Sequence, residues 1–225
     1  ESDYSLKIKK NKDTGEETAI YTIQVRAWAD NANVYLDSTD WKTQEAFETL
    51  AEKHGLGLDC VMSPKMAAMI DNLKRENSHV RGVNAQGEKA PYAKQIVFCD
   101  ILGIHNKMRK LIAKHLGVSA SQIAIVTGQR NNDAAEILEI QNNFNDYGED
   151  NYRIIIANKK AEVGINLQIG TQAIHHYTIG WTPDSLQQRN GRGVRQGNKT
   201  EKVTVYHYDA QGTFDAAKRT LVNNK

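Results

Sequence analysis

Two rhythms of apolar residues divide the chain near residue 91. Before it, short alternating or helical stretches are separated by polar turns. Leu6 to Ile8 and Ile20 to Val25 flank a polar stretch at 11–15, which predicts a β-hairpin over 6–26. Asp40 is placed to cap a helix over 41–54, closed by Gly55. Ser63 followed by Pro64 opens a second helix over 65–75. Met66, Met69, Ile70 and Leu73 share one face of it, and methionines so spaced predict core. The polar, glycine-containing stretch 78–91 reads as a loop.

Beyond Lys94, apolar runs alternate with amphipathic helices. Runs at 95–99, 123–126, 153–157, 173–179 and 203–207 predict five strands. Helices are predicted over 104–116, closed by Gly117, over 134–144, and over 213–222. Continuously apolar strands separated by amphipathic helices imply a parallel sheet covered on both faces. Such sheets bind ligands at the carboxyl ends of their strands.

Composition changes this picture little. The 225 residues are 40% hydrophobic and 25% charged, which suits one sizeable core with appendages. The formal charge of +2 does not advertise a nucleic-acid binder, although a local basic groove would escape that sum. No apolar run is long enough to span a membrane, and no signal peptide is visible, so a cytoplasmic or nucleoid-associated location is expected. Cys60 and Cys99 are expected to be buried free thiols. His175 and His176 are adjacent on a strand, point to opposite faces and predict packing roles. No zinc spacing occurs, and no metal ligand set is assigned.

The densest chemistry follows the 173–179 run. Gln188, Arg192 and Arg195 recur at helical spacing, with Gly191 and Gly193 among them. The glycines predict a helix that frays at Gly191 and a tight loop beyond it. Two converging guanidiniums suit a polyphosphate, because each is a rigid fork of donors charged at any working pH. Two arginines alone would equally make a basic surface loop. Their register with Trp181, Pro183, Gln188 and Gly197 resembles motif VI of superfamily two helicases and translocases. It is most similar to the Swi/Snf-type pattern, W-N-P, a glutamine, then R-x-x-R-x-G-Q. Thr182 stands where the pattern has asparagine, and Asn198 where it has glutamine. The resemblance implies that Arg192 and Arg195 act as fingers on the ATP γ-phosphate, with Gln188 at the nucleotide. Trp181 is expected as a structural plug beneath this loop.

Other segments resemble the same family in its own order. Glu162 to Gln168 is similar to motif V, which implies close backbone approach at Gly164 and a nucleotide or lobe contact at Asn166. Gln95 to Asp100 is similar to motif IV, and Ile140 to Asn145 to an I-x-x-F-N segment. Loops after these strands touch the nucleic-acid backbone in the family, which implicates Thr127, Gly128 and Asn158. Thr127 could equally cap a helix. Asp100 is expected as a turn or cap residue.

Neither G-x-x-x-x-G-K-[ST] nor D-E-x-[HD] occurs in the chain. A lobe that binds ATP phosphates and Mg²⁺ needs both. The expectation is therefore a C-terminal lobe cut from a longer chain: residues 58–225 as a RecA-like α/β domain with helices on both faces of a parallel sheet, and residues 1–57 as a hairpin-and-helix extension that matches no family pattern. The resemblance implies ATP as ligand, with Mg²⁺ held by a missing N-terminal ATPase lobe of the same parent chain. It favours DNA over RNA, and some members of the branch are fused to DNA methyltransferases. By itself this chain is expected to hydrolyse little ATP. A non-catalytic nucleic-acid or protein-binding module is the alternative, and the retained arginine pair argues against it.

Overall fold

A computed structural model describes residues 3–10, 17–24, 36–37, 41–84, 86–127, 134–159, 165–180, 183–198, 200, 202–210, 215, 218 and 222. The N-terminal hairpin pairs β1 (Asp3–Lys10) with β2 (Glu17–Gln24) antiparallel. Two helices follow, α1 (Trp41–Lys53) and α2 (Pro64–Ser78). Then come β3 (Lys94–Phe98), α3 (His105–Leu116), β4 (Ile123–Val126), α4 (Ala134–Asn145) and β5 (Ile154–Ala157). β6 (Thr171–His176), α5 (Pro183–Gly193) and β7 (Thr204–His207) follow.

The second sheet has the order β4-β5-β3-β6-β7, with every pairing parallel. Successive residues of its strands serve opposite faces. Val97, Ile154 and Ile156 pack with Met66, Met69, Ile70 and Leu73 of α2 and with Met108, Leu111 and Ile112 of α3. Ile96, Phe98, Ile155, Ala157 and Ile174 pack on the other face with Ile140 and Phe144 of α4. α5 shares that second face, where Gly193 abuts Ile174 and Arg189 lies over Phe98. The inner strands β3, β5 and β6 are buried on both sides, as continuously apolar strands of a covered parallel sheet should be, whereas the edge strand β7 is half-buried.

Several local expectations hold. Ser63 caps α2, its side chain accepting from the Met66 amide, with Pro64 in the first turn. Gly117 closes α3 in the left-handed conformation, with φ of 65°. Others need correction. Cys99 is buried but Cys60 is exposed. β6 starts at Thr171 and ends at His176, earlier at both ends than the apolar run. The proposed cap Asp40, the plug Trp181 and most of the 213–222 helix lie outside the described residues.

Residues 36–37 and α1 are packed onto the lobe. Leu36, Phe47 and Ala51 form a small core with Val61. The buried Asp37 carboxylate accepts from Ser63 Oγ at 2.8 Å and from the Tyr177 hydroxyl, with Lys107 Nζ at 3.8 Å. Burial pushes the Asp37 carboxyl up and the Lys107 ammonium down from their ordinary values. Among the described residues no helix is long and apolar enough to cross a membrane.

Candidate nucleotide and nucleic-acid site

The site lies beside the amino end of β6, where residues 165–169 lead into Thr171 and the C-termini of α4 and α5 meet, not at the carboxyl ends where such sheets are expected to bind ligands. That segment is held from two sides. On one side α4 supplies Gln141, whose Oε1 accepts from Asn166 N at 2.8 Å. Asn145 completes this grip, donating to the Asn166 carbonyl at 2.8 Å and accepting from Ile169 N at 3.2 Å. The polar end of the I-x-x-F-N segment thus clamps the loop, while Phe144 is fully buried in the core.

From the other side come the two arginines. Arg192, in the last turn of α5, donates through Nη1 to the Ile165 carbonyl at 3.1 Å. Its own carbonyl accepts from Leu167 N at 3.2 Å. Arg195, just past the helix and exposed, donates through Nη1 to Asn166 Oδ1. The structure therefore brings Asn166, Arg192 and Arg195 together. Gln188 is exposed on α5. Gly164 lies outside the described residues.

α5 does not fray at Gly191. It runs through both glycines to Gly193. A Cβ on Gly193 would sit 2.7 Å from Thr171 Cγ2 and 3.1 Å from Ile174 Cδ1, whereas one on Gly191 would meet nothing within 4 Å. The second glycine is there so that the helix can approach β6. Asn198 then closes the helix, donating from Nδ2 to the Gly193 carbonyl at 2.9 Å and to the Thr171 carbonyl at 2.8 Å. That pair of hydrogen bonds accounts for the asparagine at this position. Gly193→Ala should lose about 1–3 kcal/mol of stability through overpacking. Gly191→Ala should be neutral or gain roughly 0.5–1 kcal/mol in helix propensity. Denaturant midpoints of the two variants check the contrast, and equal effects would contradict it.

Of the other predicted contacts, Thr127 is partly exposed at the end of β4 and Asn158 is only 8% exposed at the end of β5. The Asn158 amide donates to the Val126 carbonyl at 3.3 Å, which keeps the two strand ends side by side. Gly128 lies outside the described residues.

Sequence reasoning missed the residue beneath these groups. Arg189 is fully buried, with Nη1 donating to the Thr178 carbonyl at 2.7 Å and Nη2 to Asp100 Oδ2 at 2.8 Å. Its guanidinium lies 5.3 Å from the centre of the Phe98 ring. Asp100 does more than cap a turn, because it pairs with this buried charge. A Q-R dipeptide in front of the R-x-x-R spacing was visible, but its partner is 89 positions away. Chemically, the surface offers guanidiniums and amides. It suits electrostatic stabilisation of an anion better than proton transfer or nucleophilic attack.

A parallel five-stranded α/β lobe with paired arginines over the loop after β5 defines a helicase-type RecA-like domain. The helicase conserved C-terminal domain family matches residues 73–197, and the chain belongs to that family. Among curated proteins, the chain is 31% identical over 208 residues to the "Defense against restriction protein B" of Escherichia phage P1. That match covers 73% of this chain and 9% of the relative. Among solved structures, the C-terminal part of the Fun30 ATPase domain is 18% identical with a TM-score of 0.49, covering 59% of this chain and 40% of that one. The Hef helicase domain of Pyrococcus furiosus is 18% identical with a TM-score of 0.46, covering 81% and 33%. The DUF1998 helicase MrfA bound to DNA and AMPPNP is 14% identical with a TM-score of 0.47, covering 70% and 20%.

Proposed function

We propose that this chain is the C-terminal lobe of an ATP-dependent DNA translocase or helicase of the Swi/Snf-like branch. ATP binds between it and an N-terminal ATPase lobe of the same parent chain, which supplies the phosphate loop and holds Mg²⁺. Arg192 and Arg195 reach the transferred phosphoryl group and stabilise the charge that develops there. Gln188, Gly164 and Asn166 line the nucleotide side. Thr127, Gly128 and Asn158, at the ends of β4 and β5, meet the nucleic-acid backbone through amides and small polar groups. Closing and opening of the two lobes then advances the strand.

The observation that carries this reading is the convergence of both arginines on residues 165 and 166. A pair that served only as a basic patch would have no reason to meet there. Membership of the helicase C-terminal family supports the lobe assignment. The relative named for defence against restriction favours DNA, because restriction acts on DNA.

The chain alone should bind DNA weakly, without sequence preference, and in a salt-sensitive way. Half a groove makes few phosphate contacts, and each contributes a slope of about −0.9 in log K against log salt for B-form DNA. Titration of a labelled duplex at roughly 50 and 200 mM salt reads that slope. Tight binding indifferent to salt, or a marked sequence preference, would sink the reading.

A further inference from the structure

Asp100 is a junction. It stands two residues past β3, and its Oδ1 accepts from the Lys159 amide, just past β5, at 2.8 Å. Its Oδ2 accepts from Thr178 Oγ1, just past β6, at 3.1 Å, and from Arg189 on α5 at 2.8 Å. The Asp100 amide in turn donates to Thr178 Oγ1 at 2.8 Å. One carboxylate therefore joins the ends of three strands to the helix whose final turn bears Arg192.

A completely buried guanidinium is tolerated only where its charge is paired and its donors are used. Arg189 meets that condition at one position of α5 relative to the sheet. Its fork spans the Thr178 carbonyl and Asp100, and its plane rests on Phe98. Sliding or rotating α5 breaks both bonds together. Arg192 is one turn further along the same helix, so its place over Ile165 follows from where Arg189 is held.

We propose that Arg189 is a positioning residue: clamped by Asp100 and Thr178, it fixes α5 on the sheet and so places Arg192 for reaction, tying that placement to the Asn158–Lys159 loop. Arg189 itself is too buried to touch the phosphates. The inference rests on the phosphoryl-transfer reading of the site.

The test uses the full-length protein that carries this lobe, with DNA and ATP saturating and single-turnover rates for the slow variants. Arg189→Met should lower kcat roughly 10- to 100-fold, the scale of a misplaced reacting group, while KM for ATP stays within about twofold. Because Arg189 acts through Arg192, the same substitution should add less than about twofold in an Arg192→Ala background. Arg189→Lys should recover only part of the rate, since an ammonium cannot span both acceptors as a planar fork does. Thermal melting and circular dichroism establish that each variant is folded. Should Arg189→Met fail to fold, Arg189→Lys and Asp100→Asn carry the same cycle. A folded Arg189 variant with wild-type kcat, or losses that multiply in the Arg192→Ala background, would overturn the proposal. If Arg192→Ala alone leaves turnover near wild type, the phosphoryl-transfer reading falls first and takes this inference with it.

Discussion

Replacing Arg192 or Arg195 by alanine in the two-lobe protein should cut ATP turnover roughly 10²–10⁴-fold while leaving DNA affinity nearly unchanged. A finger acts on charge that develops in the transition state, so its loss appears in kcat more than in ground-state binding. The geometry separates this from two bland roles. If the arginines only pin the loop, through Ile165 and Asn166, the alanine variants should melt earlier in proportion to the rate they lose. If they form a basic patch, each variant should weaken DNA binding, flatten its salt dependence and leave DNA-saturated turnover intact. Arg→Lys should rescue poorly under the finger reading, because the ammonium lacks the planar fork. Turnover at saturating ATP and DNA, DNA affinity at two salt concentrations and the melting temperature discriminate the three. Exposed Arg195 loses one hydrogen bond to Asn166 when truncated, so a large rate loss with little change in melting would speak most directly for catalysis.

The parts of this site that could be read from the sequence are those built by local spacing. Strands buried on both faces announce themselves as apolar runs, and the Gln188, Arg192 and Arg195 register survives without any tertiary knowledge. What could not be read depends on partners far away in the chain. β6 begins at Thr171 and Gln172, two polar residues that look like loop. Thr171 donates its hydroxyl to the Leu167 carbonyl, and Gln172 Nε2 donates to Glu76 Oε2 at 2.8 Å. Glu76 is itself buried because Arg81 Nη2, at 2.6 Å, and the Tyr206 hydroxyl, at 2.7 Å, also donate to it, and this carries α2 to Ser78. Gly191 and Gly193 look alike in a propensity argument, yet one faces open space and the other faces β6. Arg189 reads as one more surface charge until Asp100 is placed beside it. At Gly193 close packing against β6 decided, and in the other cases tertiary satisfaction of polar groups overrode local preference.

Acid should unfold this lobe early, and the cause lies in β6. His175 is fully buried between Gln95 and Tyr208. Gln95 Nε2 donates to the Leu73 carbonyl at 3.1 Å, which leaves Oε1 facing His175 Nε2 at 2.9 Å as an acceptor. His175 therefore donates from Nε2, and its bare Nδ1 accepts from the Tyr208 hydroxyl at 2.7 Å. Tyr208 already accepts from Asn72 Nδ2 at 3.1 Å, so a proton on Nδ1 would leave its hydroxyl hydrogen without its present acceptor. Burial, with His176 next to it, pushes the His175 imidazole down to about 3. His176 donates from Nε2 to Asn190 Oδ1 at 2.8 Å, and its buried Nδ1 has no hydrogen-bond partner among the described residues. Burial brings it down to about 4. An unfolded histidine titrates near 6.5. Between these values the unfolded chain takes up protons that the fold refuses. The contribution of these two rings is thus full above about pH 6.5 and falls as pH drops toward 4, by ~1.4 kcal/mol per pH unit for each ring; Lys94, lowered by burial to about 7, adds a slope of the same sign above that range. Two rings at pH 5 should together cost about 4 kcal/mol, a large part of the ~5–15 kcal/mol that holds a domain folded. His105, also lowered by burial, acts in the same direction. Asp37, raised by burial, acts in the opposite one at the acid end. Urea unfolding at pH 7.5, 6 and 5, spaced on the order of one pH unit, measures the slope. His175→Gln keeps an amide to donate toward Gln95 and should remove about half of it. A stability that stays flat over that range would mean that these buried imidazoles are not held neutral by the fold.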